Sequence, residues 1–284
     1  MRTDNIEHKA LFTIPTAAHS TTLANIKPLP AQRKITGHKQ TDAYLWVLEV
    51  IRLNEPAHLS AAEAALEKIK ISPKEAEERY SRFLLANGAD PFVTAFGTIG
   101  MDNPVRAIQT ARENIKKAAD VRATFGCYES AMEDVEAERI IKSSKKYIDD
   151  YDWGWTTEEL EAGHIGGSRI FEIEDQRREY VDGYRDVLPR PHTLSDVVRE
   201  FVYWDWLYGV RQTASKELGY EFGPDHHESV NDRERYLEEL LTTIKPATRD
   251  EAVEVCRWFM ESGKGEYMDN DGESVILNLV GECE

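Results

Sequence analysis

Apolar residues recur along most of this chain at intervals of three or four positions, the spacing of one face of an α-helix. The pattern is clearest after Ser72, after Asn103 and from Leu194 onward. Strict alternation of apolar and polar residues, which marks a half-buried strand, is almost absent, and only the run Val275–Val280 fits a short strand equally well. We therefore predict an all-α fold made of irregular multi-helix domains.

Signals for helix starts agree with this periodicity. In a capping box, a Ser or Thr hydroxyl at the cap accepts a hydrogen bond from the backbone amide three residues later. The glutamate at that later position accepts a hydrogen bond from the backbone amide of the cap. A fifth start is predicted at Asn103, because the proline after it can occupy the first helical position without losing a hydrogen bond. The four capping boxes are Ser60/Glu63, Ser72/Glu75, Thr156/Glu159 and Thr248/Glu251.

Composition divides the chain into four predicted segments. Residues 11–40 are rich in Thr, Ala and Pro, and we predict that residues 1–40 form a flexible basic arm. Residues 41–152 and 171–284 predict an N-terminal and a C-terminal helical unit. Glycine and charge are concentrated in residues 153–170, which predict the hinge between these units. We expect deletion of the arm to leave the rest of the chain folded.

Charge is distributed unevenly along the chain. The sequence carries 35 Lys and Arg against 52 Asp and Glu, which gives a net charge of −17. Residues 1–40 carry +4, with Arg33, Lys34 and Lys39 among their cations, so the remaining chain carries −21. Such an acidic body repels nucleic acid and anionic membranes and attracts basic partners. The cations of the arm are sparse, and we expect them to contact a partner or the acidic body.

The composition also bears on location. No stretch approaches the roughly 18 apolar residues that a bilayer span requires. The N-terminal residues lack the apolar segment of a secretory signal. The cysteines Cys127, Cys256 and Cys283 are distant and odd in number, which argues against a disulfide framework. These features predict a cytoplasmic protein with no membrane contact.

Two groups of acidic residues are spaced to form stripes on predicted helices. The longer group places four carboxylates at i, i+4, i+7 and i+11, which is one face of one helix. The shorter group places three carboxylates over two turns. We predict both as partner-binding sites, although a solvated face balanced by nearby arginines has the same spacing. The members are Asp175, Glu179, Asp182 and Asp186 in the longer stripe and Glu129, Glu133 and Glu136 in the shorter one.

Other candidate chemistry is sparse. The run Glu200–Val210 surrounds a helix with aromatic residues, which predicts a buried helix or an oligomer surface around Trp204 and Trp206. Asp205 lies within this run and would be a general acid or base, one half of a structural ion pair, or a residue on the one solvated edge of the helix.

The Asp-His-His run that begins at Asp225 is a candidate for metal binding. His226 and His227 are adjacent, so on regular structure they point apart, and a shared metal would need ligands from elsewhere in the chain. A polar loop that leads into a helix is the alternative. Because the local motifs of metal, nucleotide and nucleophile sites are absent from the sequence, we predict no metal, no cofactor and no catalytic residue.

Three hypotheses of function follow from these features. The first is a non-catalytic binding protein whose acidic helical face engages a basic partner surface. In the most specific form of this hypothesis, the carboxylates imitate the charge of nucleic acid and occupy the DNA site of a nucleic-acid-binding protein. The second is an enzyme with a helical carboxylate and histidine metal site. The third is an oligomeric adaptor that associates through the aromatic helix. The charge pattern favours the first.

Overall fold

The structure, a computed structural model, describes residues 3–22, 26–150, 154–220, 223–266 and 271–281, without the side chains of residues 149–150, 178–180 and 271. Within these residues the chain forms fifteen α-helices and one 3₁₀ helix (Lys264–Glu266), and no strand. The all-α prediction is confirmed. The helices are α1 (Ile6–Leu11), α2 (Lys39–Arg52), α3 (Pro56–Leu66), α4 (Pro73–Ala86), α5 (Pro91–Thr98), α6 (Pro104–Phe125), α7 (Tyr128–Ala131), α8 (Glu136–Ser143), α9 (Lys145–Asp150), α10 (Thr157–Ala162), α11 (Arg169–Tyr180), α12 (Leu194–Leu218), α13 (Glu228–Thr243), α14 (Arg249–Glu261) and α15 (Asp271–Val280).

Four of the five predicted helix starts are confirmed. The side chains of Ser72, Asn103, Thr156 and Thr248 each accept an amide hydrogen bond from the first turn of the helix that follows. The prediction at Ser60 is wrong, since α3 already begins at a proline four residues earlier, where the missing amide costs nothing. Val275–Val280, which fitted a strand equally well, belongs to α15.

The chain forms two compact units whose boundaries differ from the predicted ones. Residues Ala17–Tyr128 make one unit, here called the middle unit. Residues Met1–Thr16 and Glu129–Glu284 make the other, here called the acidic unit. The predicted hinge at residues 153–170 therefore lies inside the acidic unit, and the division after Tyr128 follows the glycine-ended helix α6.

The middle unit is organised around α2, which packs against α3, α4 and α6. Tyr44, Val47 and Ile51 of α2 are almost completely buried, as are Ala62 of α3 and Ala111 of α6. The apolar spacing in the sequence predicts the burial of Ile108 and Ala111 of α6 correctly, but Val105, at the start of the same spacing, is 71% exposed. Burial of these side chains supplies the main stabilisation of the unit.

Part of the predicted basic arm is ordered against α2. Trp46 Nε1 donates to the carbonyl of Pro30 at 2.7 Å, and the Asp42 carboxylate accepts from the amide and the hydroxyl of Thr36, each at 2.7 Å. Arg33 pairs with Glu49 at 2.8 Å on the surface. Lys39 is the first residue of α2. The three arm cations that the sequence singles out are all exposed: Arg33, Lys34 and Lys39.

The acidic unit is built on the 25-residue helix α12, which packs against α1, α13 and α14. Leu194, Val197, Phe201, Trp204 and Leu207 are fully buried along it. Part of the aromatic run thus lies in the core of the unit, which is one of the two placements that the sequence predicts, whereas Tyr208 is 38% exposed. None of the described helices is long and apolar enough to cross a membrane.

The N-terminal residues differ from the predicted flexible arm. Asn5 caps α1, and His8 and Phe12, four residues apart, are 0% and 1% exposed. The Phe12 ring lies 5.5 Å from that of Tyr203 and 5.7 Å from that of Trp204. Because α1 buries these two side chains in the core of the acidic unit, the gain from burial offsets the entropy lost on ordering the segment.

Candidate functional site

The longer acidic stripe does not form, because α11 ends at Tyr180. Asp182 and Asp186 lie in the turn that follows the helix rather than on it. The turn is fixed at Gly183, whose φ of +68° is in the left-handed region and where a Cβ would stand only 2.4 Å from the Cβ of Tyr236. Only glycine fits this approach to α13, so the helix cannot continue through it.

The members of the longer stripe have different surroundings. Asp175 and Asp186 are exposed. Asp182 accepts a hydrogen bond from the amide of Tyr184 at 3.1 Å and lies 3.7 Å from Lys146 Nζ. Glu179 belongs to α11, but its side chain is outside the described part of the structure.

The shorter stripe is divided over two helices and a loop. Glu129 lies in α7, Glu133 lies in the loop after it, and Glu136 begins α8. All three are exposed, and Glu136 pairs with Arg139 at 3.0 Å. Neither predicted stripe is therefore one continuous helical face, and whether these residues bind a partner remains a prediction.

Buried ion pairs hold the core of the acidic unit together. Glu200 is fully buried and accepts from Arg233 Nε at 2.7 Å, from Arg233 Nη2 at 3.0 Å and from Trp204 Nε1 at 3.3 Å. His8 Nε2 lies 2.8 Å from its second oxygen. Burial alone would raise the pKa of Glu200, but Arg233 and His8 outweigh burial and hold that pKa below its usual range.

Further arginines pair with three of the other buried acids of this unit. Asp232 pairs with Arg177 at 2.8 Å and also with Arg235. The remaining pairs join Glu138 to Arg211 at 2.6 Å and Asp196 to Arg199. A fifth buried acid, Glu251, accepts from the amides of Ser195 and Ala247 instead of pairing with an arginine.

This pairing decides where the negative charge of the protein lies. The middle unit carries 15 Lys and Arg against 12 Asp and Glu, a net +3, so the acidic unit carries 20 against 40, a net −20. Its five buried acids are matched in number by the five arginines described above, of which Arg177 and Arg233 are buried and the other three are partly exposed. The rest of the acidic unit therefore has 35 acids against 15 cations. The excess belongs to its remaining residues rather than to its core.

The candidate acid–base residues converge in part. Asp205 is exposed on α12, and its negative charge reaches both His226 and Glu234. Burial raises the pKa of Glu234, whose Oε2 lies 3.3 Å from Lys264 Nζ. Burial also lowers the pKa of His226. Asp205 thus lies on the solvated edge of its helix, which is one of the placements that the sequence allows.

The second histidine has a structural role. His227 caps α13, with Nδ1 accepting from the amide of Ser229 at 3.3 Å, and its Nε2 lies 3.3 Å from the Tyr147 hydroxyl. Burial lowers its pKa, as it does that of His226. Within the described residues no three His, Cys, Asp or Glu side chains are grouped to hold a metal ion.

A cavity of about 420 Å³ lies beside the Asp232 ion pairs. Trp155 and Ile165 from the predicted hinge line it, together with residues of α11 and α13. Arg177 and Arg235 also line it, and both already bind Asp232. A ligand in this cavity would thus meet an ion pair and apolar side chains rather than an unpaired arginine cluster.

The sequence contains signals for two structural features that the predictions above do not include. Asn5 before α1, with His8 and Phe12 four residues apart, is the pattern of a short capped helix with one buried face. Glu200 lies three residues after Val197 and four before Trp204, so a charged residue stands on an apolar face. Such a placement predicts a buried ion pair, but the sequence does not identify its partner.

Comparison of the chain with family models, with curated proteins and with solved structures finds no match. The charge distribution and the geometry described above are therefore the observations from which a function can be inferred.

Proposed function

We propose that this protein is a non-catalytic binding protein whose acidic unit engages a basic surface of a partner. One observation supports the proposal more than any other. The net charge of −20 is confined to one compact unit whose buried charges are balanced, so the excess remains available to a partner. A charged surface of this size attracts oppositely charged proteins over about a Debye length and speeds their association.

The form of the surface favours a cationic protein patch over close imitation of a duplex. A nucleic-acid duplex presents one charge per roughly 1.7 Å of its axis. The helix that would present four carboxylates in a row ends at Tyr180, and the shorter stripe is divided by a loop. The acids are thus dispersed over several elements. A nucleic-acid-binding partner is the narrower version of the proposal, and competition with duplex DNA tests it separately.

Two variants with the same change in net charge test the proposal. The first neutralises four exposed acids of the acidic unit, and the second neutralises four exposed acids of the middle unit as the matched control. The substitutions are Glu129→Gln, Glu133→Gln, Asp175→Asn and Asp186→Asn in the first variant, and Glu67→Gln, Glu78→Gln, Asp102→Asn and Asp120→Asn in the control.

The full chain, tagged, captures proteins from a cell extract at low and at high salt. We expect cationic proteins that are lost at about 0.5 M salt, where screening is strong. We expect the first variant to capture less of them than the control does. Capture that is indifferent to salt, or that both variants reduce equally, would refute the proposal. Displacement of the captured protein by duplex DNA would support the nucleic-acid version.

A further inference from the structure

The short helix α5 of the middle unit exposes nearly all of its large apolar side chains. Phe92, Val93, Phe96 and Ile99 are 70%, 61%, 60% and 65% exposed, and here they are called the α5 face. The sequence between Pro91 and Met101 contains no charged residue. Phe92, Phe96 and Ile99 follow the i, i+4, i+7 spacing, which places them on one side of a helix, and Val93 adjoins them.

The opposite side of α5 is polar and buried. Thr94 and Thr98 are 3% and 6% exposed, and the hydroxyl of Thr98 donates to the carbonyl of Thr94 at 3.2 Å. The hydroxyl of Thr94 has no hydrogen-bond partner among the described residues. The helix thus turns hydroxyls inward and phenyl rings outward, which is the reverse of an ordinary surface helix.

The local structure fixes α5 in this orientation. Asp90 caps the helix and accepts from the amide of Phe92 at 2.7 Å, and Pro91 occupies the first helical position. Gly97 faces α4, where a Cβ would lie 3.6 Å from Leu84 Cδ1. A rotation that buried the phenylalanines would bring larger side chains against α4.

We propose that the α5 face is the contact surface of a homodimer, in which two copies pair through their α5 helices. A phenylalanine side chain has about 200 Å² of surface, and Val or Ile somewhat less. Multiplied by the exposed fractions given above, the four side chains offer about 450 to 500 Å² of apolar area. A standard interface buries about 800 Å² per partner, of which about 65% is apolar in homodimers, or about 520 Å². The face alone supplies nearly this amount.

The chemistry of the face favours a second copy over a different protein. A two-fold contact brings each residue close to its own symmetry mate, so a charge near the axis would face a like charge. The α5 face has none, and the middle unit carries only +3, so two middle units do not repel strongly. The rings of Phe92 and Phe96 lie 4.5 Å apart and present a continuous aromatic surface. This surface is distinct from the acidic one proposed above.

The mass of the full chain in solution tests the homodimer. Sedimentation equilibrium between about 1 and 100 μM should give twice the 32.5 kDa of one copy at the upper end. The double variant Phe92→Ser/Phe96→Ser should raise the dimer dissociation constant at least about 100-fold. The control Met260→Ser/Val280→Ser removes two residues of the acidic unit that are 74% and 67% exposed, and it should leave the constant unchanged.

A conservative variant separates loss of contact from loss of folding. Phe92→Leu/Phe96→Leu keeps the face apolar and should retain the dimer, with the helical circular dichroism of the wild type. A wild-type chain that stays monomeric at 100 μM would overturn the proposal, as would a dimer that the serine variant leaves intact. A monomeric chain that binds neutral phosphatidylcholine vesicles through the phenylalanines would overturn it too, because the face would then contact lipid.

Discussion

Substitution of Arg233 by methionine should destabilise the acidic unit through the charge that it leaves behind. Arg233 is fully buried and gives Glu200 two of its hydrogen bonds, at 2.7 and 3.0 Å. Methionine fills much of the space of the arginine stem but donates nothing. Glu200 would then be a buried carboxylate without its cation.

The magnitude follows from the contacts that remain. Removal of one partner from a buried ion pair costs about 3 to 5 kcal/mol, because the other charge is left uncompensated. Glu200 keeps His8 and Trp204 near its oxygens at 2.8 and 3.3 Å, which reduces the loss. We therefore expect the free energy of unfolding of Arg233→Met to fall by about 3 kcal/mol, the lower end of that range.

Urea unfolding followed by tryptophan fluorescence measures this loss. Five of the six tryptophans belong to the acidic unit, so the emission reports mainly on that unit. The control is the double variant Glu200→Leu/Arg233→Met, which removes both charges. It should cost less than Arg233→Met alone, because apolar replacement of a buried pair is nearly neutral, apart from the hydrogen bond lost at His8.

As pH falls, the difference in the free energy of unfolding between wild type and Arg233→Met should become smaller. The pKa of Glu200 is depressed in the folded state, so its contribution to stability is present above the unfolded pKa and is lost as pH falls through the folded pKa. A loss below about 1 kcal/mol for Arg233→Met would refute the role given to this pair. So would a loss in the double variant that equals the sum of the losses of Arg233→Met and of Glu200→Leu alone.

Three further predictions use the same unfolding assay. Phe12→Ala should cost about 3 kcal/mol or more if α1 is part of the core, and no loss would show that it is dispensable. Gly183→Ala should be far more destabilising than Gly167→Ala, since both have positive φ but only Gly183 would place a Cβ 2.4 Å from that of Tyr236; equal effects would contradict the close approach. Glu234→Gln should gain stability over wild type as pH rises, because the pKa of Glu234 is raised in the folded state and its contribution is lost as pH rises through that pKa. A constant difference between the two across that range would show that Glu234 is not perturbed.

Local signals in this sequence predict local structure well. Helix caps are short-range interactions, and the hydroxyls of Ser72 and Thr248 form the predicted hydrogen bonds. The exception at Ser60 has a local cause as well, since a proline earlier in the chain sets the start of α3. Periodicity likewise identifies the buried face of α12.

Long-range structure could not be predicted in the same way. The acidic stripe assumes that α11 continues past Tyr180, but Val181 is extended and Gly183 packs closely against α13, far along the chain. Composition predicts a flexible arm, whereas His8 in that segment contacts Glu200, 192 positions away. Periodicity shows that a face is buried without showing what covers it.

The most direct test of the acidic unit as a binding surface is the salt dependence of its affinity for a captured partner. The binding constant should fall as the salt concentration rises, because salt screens the attraction between exposed charges. Neutralising Glu129, Glu133, Asp175 and Asp186 should make that dependence on salt weaker, and the matched variant of the middle unit should keep the wild-type dependence. A binding constant that does not change with salt, or a dependence that both variants alter equally, would contradict electrostatic recognition by the acidic unit.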